Sequence, residues 1–183
     1  MRYSFIAVLV LSTFSLSANA TTNKHIIGTN MGYGGVNYDA PTSKESGDMF
    51  LGEIYYRYMP MHNFGIEAGY KGAFDGIGSA IVSQISQISD TSFSGPRMSG
   101  YASYPLGSGF ELYGKAGVTY YTLEYTYKVN NQTKNIDHAS IGGEAAGGIS
   151  WSYKYFGLNA EYVYSKNSDF DSSGLMFGAQ LRF

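Results

Sequence analysis

The sequence has no cysteine in 183 residues, and only 14% of its residues are charged. The missing thiol excludes disulfides, cysteine-ligated zinc and thiol chemistry, and with them a lipid anchor on an N-terminal cysteine. The charged share lies well below the roughly 25% usual for soluble domains. An excess of basic residues is absent too: 12 Lys and Arg stand against 14 Asp and Glu, a formal charge of −2. Non-specific nucleic-acid binding needs a basic face, so that class is set aside. No internal repeat is visible, and one domain is the default. Beyond the first 20 residues no apolar run is long enough for a membrane-spanning helix, which takes about 20 residues.

What is abundant points elsewhere. There are 18 Tyr and 24 Gly, and 16% of residues are aromatic. Aromatic residues suit strands that meet an apolar medium. Residues 1–20, MRYSFIAVLVLSTFSLSANA, read as an export signal. Arg2 supplies the positive start, Phe5 to Leu16 the apolar stretch, and Ala18-Asn19-Ala20 a small-x-small cleavage site. The expected product is a cleaved signal peptide and a mature domain over residues 21–183.

Along that mature chain, side chains alternate with period two. The pattern predicts eight strands, at about 26–38, 48–59, 64–74, 95–104, 109–124, 139–153, 156–165 and 174–183. The connections alternate as well. Long polar ones start at Ala40, at Asp75, near Lys128 and at Lys166; tight ones sit at Pro60–Asn63, Pro105–Ser108 and Lys154-Tyr155. An antiparallel up-and-down meander has its long connections at one end and its short turns at the other, as transmembrane barrels do.

Sorting each strand by parity separates the charges. One face carries Phe50, Ile54, Tyr56, Ile66, Tyr70, Leu112, Val118, Ile149, Leu158, Tyr162 and similar residues, with no mid-strand charge. The other carries Glu53, Arg57, Glu67, Lys71, Arg97, Glu111, Lys115, Glu144, Glu161 and Arg182. Five are acidic and five basic. Alternation alone would also suit a β-sandwich. A neutral sum is what a narrow closed lumen requires, because an unpaired buried ion costs several kcal/mol. The fold expected is therefore an all-β, eight-stranded antiparallel transmembrane barrel whose small interior is filled by side chains. Closure also leaves no strand edge exposed to hydrocarbon. Aromatic belts are expected at both interfaces, with Phe64, Tyr104, Phe110, Trp151, Tyr153, Phe156 and Phe183 at the short-turn rim and Phe50, Phe74, Tyr120 and Tyr164 at the other.

Residues 174–183, GLMFGAQLRF, resemble the last strand of the OmpA-type outer-membrane β-barrel family, ending on an aromatic with apolar residues at alternate places. Residues 56–70 resemble its second hairpin turn, and residues 109–118 its fifth strand. The resemblance implies that Leu175, Phe177, Ala179, Leu181 and Phe183 form a terminal signal read by the barrel-assembly machinery. It also implies a Gram-negative outer membrane, with outer-membrane lipid and lipopolysaccharide as surroundings. Family members that tether the cell wall continue into a periplasmic domain, and this sequence ends at the strand, so that role is not carried over. The stand-alone barrels of OmpX/Ail size imply adhesion, colonisation or resistance to host defences, through four extracellular loops and a host-surface or matrix ligand. A monomer is expected. A small channel and a lipid-modifying enzyme are the rival roles.

Candidate chemistry is sparse, and neither a catalytic role nor a cofactor is expected. His25, His62 and His138 are the only imidazoles, and their spacing matches no metal motif. His138, Ser140 and Glu144 share a parity, but His138 and Glu144 stand about 20 Å apart along a strand, too far for a triad. The glycines of residues 141–149 precede no helix and no phosphate-loop lysine; they read as room for inward neighbours such as Glu144. Ile77, Ile81, Ile85 and Ile88 in the second long connection follow helical spacing. They are expected to pack on the barrel mouth or, alternatively, to contact a surface partner.

Overall fold

The computed structural model describes residues 24–39, 44–75, 89–129, 132–168 and 170–183. All eight strands are present: β1 (His25–Asp39), β2 (Lys44–Tyr58), β3 (Phe64–Asp75), β4 (Ser89–Gly107), β5 (Phe110–Val129), β6 (Gln132–Tyr153), β7 (Phe156–Lys166) and β8 (Phe170–Arg182). Each pairs antiparallel with the next, and β1 pairs with β8, so the sheet closes. At that seam the amide of His25 donates to the carbonyl of Phe183, and the amide of Phe183 donates back.

The register fixes the barrel's shape. A walk from Ile27 through the paired residues Tyr56, Ala68, Met98, Val118, Gly143, Lys166 and Asp171 returns to β1 at Asn37, ten residues further on. A shear of ten over eight strands corresponds to a strand tilt of about 40° and a backbone radius of about 8 Å. That radius leaves room for side chains and little else.

The short turns follow from local chemistry. Between β4 and β5 the chain reverses through Gly107, Ser108 and Gly109, all at positive φ (96°, 54° and 83°). Two of these three positions are glycine, which has no Cβ to oppose that conformation. Lys154 takes φ 54° in the two-residue turn between β6 and β7.

At the other end the structure corrects the expected connections. The described parts of the polar segments that read as long loops are largely strand. β2 already begins at Lys44 and β4 at Ser89, and β5 and β6 stay paired out to Val129 and Gln132. Past the bilayer both faces of a strand meet water. The hydrophobic alternation then fades, although the backbone ladder continues. Ile77, Ile81, Ile85 and Ile88 lie outside the described residues, as do residues 1–23 and the side chain of His138.

Outward parity carries the apolar side chains. Met31, Ile54, Val118, Phe177 and Leu181 are each more than half exposed. In water this would be an aggregation surface; in hydrocarbon it is a solvated one. On the tilt above, the rings of the short-turn rim and those of Phe50 and Tyr120 lie roughly 22 Å apart along the axis, matching an apolar band of about 25 Å.

Candidate functional site: the filled lumen

The structure places all ten charged side chains singled out above on the inward parity. Eight are buried: Glu53, Arg57, Glu67, Lys71, Arg97, Lys115, Glu144 and Glu161. Four positive and four negative groups thus share the central lumen and cancel. Glu67, fully buried, is the hub. It accepts from Arg57 Nε and Arg97 Nη2, each at 2.6 Å, and from Lys115 Nζ at 3.2 Å. Arg97 Nε reaches Glu53 at 2.9 Å, and Lys115 also meets Glu53 at 3.2 Å and Glu161 at 3.0 Å. Glu144 takes Lys71 at 2.7 Å, together with the hydroxyls of Tyr121 at 3.1 Å and Ser165 at 2.8 Å. The amide of Asn30 donates to Glu53 at 2.6 Å and to Glu161 at 3.2 Å. Register decides these pairings. Glu53 lies directly opposite Lys71 across β2 and β3, yet the ion contacts recorded for each run to more distant strands.

Glycine makes room for this network. A Cβ on Gly178 would run into Asn30 Oδ1 and the Thr29 carbonyl, and one on Gly148 would meet Glu161 Cβ at 2.8 Å. The inward glycines of the 141–149 segment accordingly sit against neighbouring strands' side chains.

Two further layers flank the ions. Towards the short turns, Arg57 lies over the Tyr101 ring at 3.7 Å, and Tyr101 stacks on Tyr113 at 5.3 Å. Below them Arg182 meets Glu111 at 3.4 Å, where both side chains are partly exposed (17% and 22%). Towards the opposite end, Val36, Met49, Leu51, Ala73, Phe93, Tyr121, Val163, Phe170 and Met176 form a buried apolar cluster. Phe93 packs on Tyr121 at 5.2 Å and on Phe170 at 4.7 Å between ring centroids. Sequence reasoning treated the inward face as polar and missed this plug. The available signal was the large apolar residues on inward parity near the outer ends of β1, β2, β4 and β8.

Arg182 sits in a different setting from the hub. Its pair is long and half-open to water, so Arg182→Leu should cost less than about 1 kcal/mol. Urea unfolding in detergent, compared with the parent barrel, measures this.

Of the His138, Ser140 and Glu144 set, the two described side chains have other partners. Ser140 Oγ accepts from the Asn167 amide at 3.2 Å, and Glu144 is engaged by Lys71. No group of three His, Asp or Glu side chains gathers as metal ligands among the described residues. Leu175, Phe177, Leu181 and Phe183 all point outward and are exposed, with Ala179 half-buried between them.

The fold and the lumen now stand beside known proteins. The family model for the outer membrane protein beta-barrel domain matches residues 6–183. The chain belongs to that family. Its members' setting is the outer membrane of Gram-negative bacteria. Among solved structures the chain is similar to Neisserial surface protein A, at 15% identity and TM-score 0.65, over 88% of this chain and 98% of that one. It is also similar to Ail, the attachment invasion locus protein of Yersinia pestis, at 17% identity and TM-score 0.57, over 87% and 99% of the two chains. A third similar structure is OprG from Pseudomonas aeruginosa, at 16% identity and TM-score 0.56, covering 88% and 97%. At these identities the likeness concerns the fold. No curated protein matches the chain significantly. The barrel wall of this family member is the hydrocarbon-facing part, and its lumen is closed by side chains.

Proposed function

We propose that this protein acts at the cell surface through the parts of its strands and loops that project beyond the outer belt, in adhesion, colonisation or resistance to host defence. The observation that carries this reading is the β5–β6 ladder. It continues past Tyr120 and Ile141 to Val129 and Gln132, while β7 pairs with β6 only from Gly143 downward. β6 therefore rises above its β7 neighbour and leaves its upper backbone edge without a β7 partner, while β5 keeps β4 beside it as far as Thr126. Open edges and projecting loops are what extended partners recognise. The filled lumen leaves the outer surface as the working part.

Ail, one of the similar structures, was crystallised with the heparin analogue sucrose octasulfate. That compound is a ready probe here, beside host cells and matrix proteins. Ile77, Ile81, Ile85 and Ile88 belong to the same proposal as a second contact segment. Exporting and assembling the barrel would use the cleaved N-terminal signal and the terminal residues Leu175 to Phe183.

Replacing residues 124–137 by a two-residue Asn-Gly turn should lower binding of expressing cells to host cells or matrix at least tenfold. The heat-shift of the barrel on detergent gels should stay as in the parent. Unchanged binding would refute the hairpin's role. The channel reading predicts instead a large stable conductance from the monomer in planar bilayers, which the plug opposes.

A further inference from the structure

The charges outside the lumen are sorted along the barrel axis. Five of the 14 Asp and Glu point into the lumen, and the others all belong to the long-connection ends of the strands or to the connections there. At the short-turn end, residues 24–25, 58–64, 104–110, 153–156 and 183 include no Asp or Glu. They do include Lys24 and Lys154, both exposed, together with His25 and His62. These groups share one arc of the rim. The amide of Arg182 donates to the carbonyl of Tyr155, Phe183 and His25 exchange backbone bonds, and the amide of Met59 donates to the carbonyl of Lys24. The 154–155 turn, the end of β8, Lys24-His25 and the 59–63 turn are therefore consecutive around the ring. The remaining short turn, residues 105–109, has no ionisable side chain.

The same end is apolar at its tips. Met61, Leu106 and Tyr155, one from each short turn, are 65%, 54% and 57% exposed. Each turn reaches at most three residues past its flanking rings, about 8 Å along the axis at the tilt above. The headgroup layer of one leaflet is roughly 5–8 Å deep. The tips therefore end among headgroups, where an apolar side chain still touches acyl carbon. Rings back the charged groups of the arc. His25 lies 5.3 Å from the Tyr58 ring and 5.9 Å from the Phe183 ring, and its Nδ1 is 2.6 Å from the Tyr56 hydroxyl. Lys154 Nζ lies 5.3 Å from the Tyr153 ring. Among the described residues, the one anionic group at this level outside the lumen is the terminal carboxylate of Phe183. A lysine at such a depth lays its stem along apolar surface and its ammonium at the phosphates.

We propose that the arc of the short-turn rim from Lys154 to Lys24 seats anionic phospholipid headgroups of the inner leaflet. Lys24 and Lys154 attract the phosphodiester, and the rings beside them with the tips of Met61 and Tyr155 meet the first acyl carbons. The ligand class is a phospholipid whose phosphate carries no compensating ammonium, such as phosphatidylglycerol. Charge complementarity selects this occupant. A zwitterionic headgroup brings its own ammonium to the lysines, and the acid-rich outer end repels anionic lipid at the opposite rim.

The test compares lipids directly. Folded barrels, verified by heat-shift, are placed in phosphatidylcholine vesicles with a trace of phosphatidylglycerol or phosphatidylcholine spin-labelled on its acyl chain. The motionally restricted part of the EPR spectrum gives the relative association of the two lipids with the barrel. At low salt, phosphatidylglycerol should be favoured at least threefold, the order expected of lysines near an anionic headgroup. In 1 M NaCl the preference should disappear, since the charges at the rim are screened. Lys24→Gln combined with Lys154→Gln should bring the two lipids to within 1.5-fold of each other, roughly the limit set by losing both attractions. Lys166→Gln removes one positive charge at the outer end, where Lys166 is exposed opposite Asp171, and should leave the parent's preference intact. Equal association of both lipids with the parent barrel would overturn the proposal. So would a preference that survives the double replacement, or one that Lys166→Gln abolishes as completely.

Discussion

Replacing Glu67 with Leu is expected to lower the unfolding free energy of the barrel by about 3–5 kcal/mol, the range for breaking a buried ion network by removing one partner. The reason lies in the contacts. Arg57, Arg97 and Lys115 all converge on this carboxylate, which is fully buried. Without it, four buried cations would face three anions. Urea unfolding in detergent, followed by tryptophan fluorescence, gives the value; Trp151 is the only tryptophan. The double replacement Glu67→Leu with Arg57→Leu restores neutrality and should recover part of the loss, a coupling that a double-mutant cycle measures. A loss under 1 kcal/mol for the single variant would mean that water reaches and screens the hub.

Charging the outer wall should be the second large effect. Ile54 lies midway along β2 between Tyr58 and Phe50, points outward and is 60% exposed. Ile54→Arg places a cation near the middle of the apolar band, where the cost in barrels is about 2–4 kcal/mol. Tyr104→Arg puts the same charge at the short-turn rim and should cost about 1 kcal/mol or less, since the penalty falls off towards the interfaces. The gradient between the two positions is the informative quantity, read as the difference in unfolding free energy in lipid vesicles. Equal costs at both depths would show that Ile54 faces water.

Hairpin and lumen differ in how far they could be read in advance. The strands of the bilayer zone were legible because hydrocarbon outside and a crowded lumen inside impose opposite demands on successive residues. Ile54 beside Glu53 and Leu112 beside Glu111 show that alternation directly. Beyond the outer belt those demands vanish: β6 runs on through Gln132–Ala139 without regular alternation, while β5 keeps alternating (Tyr121, Leu123, Tyr125, Tyr127) past residue 124, where the expected strand ends. The plug was illegible for a related reason. Phe93, Val36 and Phe170 obey the inward parity, but nothing local distinguishes an inward position at the level of the ions from one above them.

The sequence by itself determined the strand count, the hand each residue turns to lipid or lumen, and the neutrality of the inward charges, because period-two geometry and the cost of a lone ion act residue by residue. Only the closed structure decided which carboxylate meets which cation and where the apolar plug lies. Those outcomes depend on shear, which shifts each strand against the next around the ring and brings together residues such as Lys71 and Glu144 that no local pattern relates.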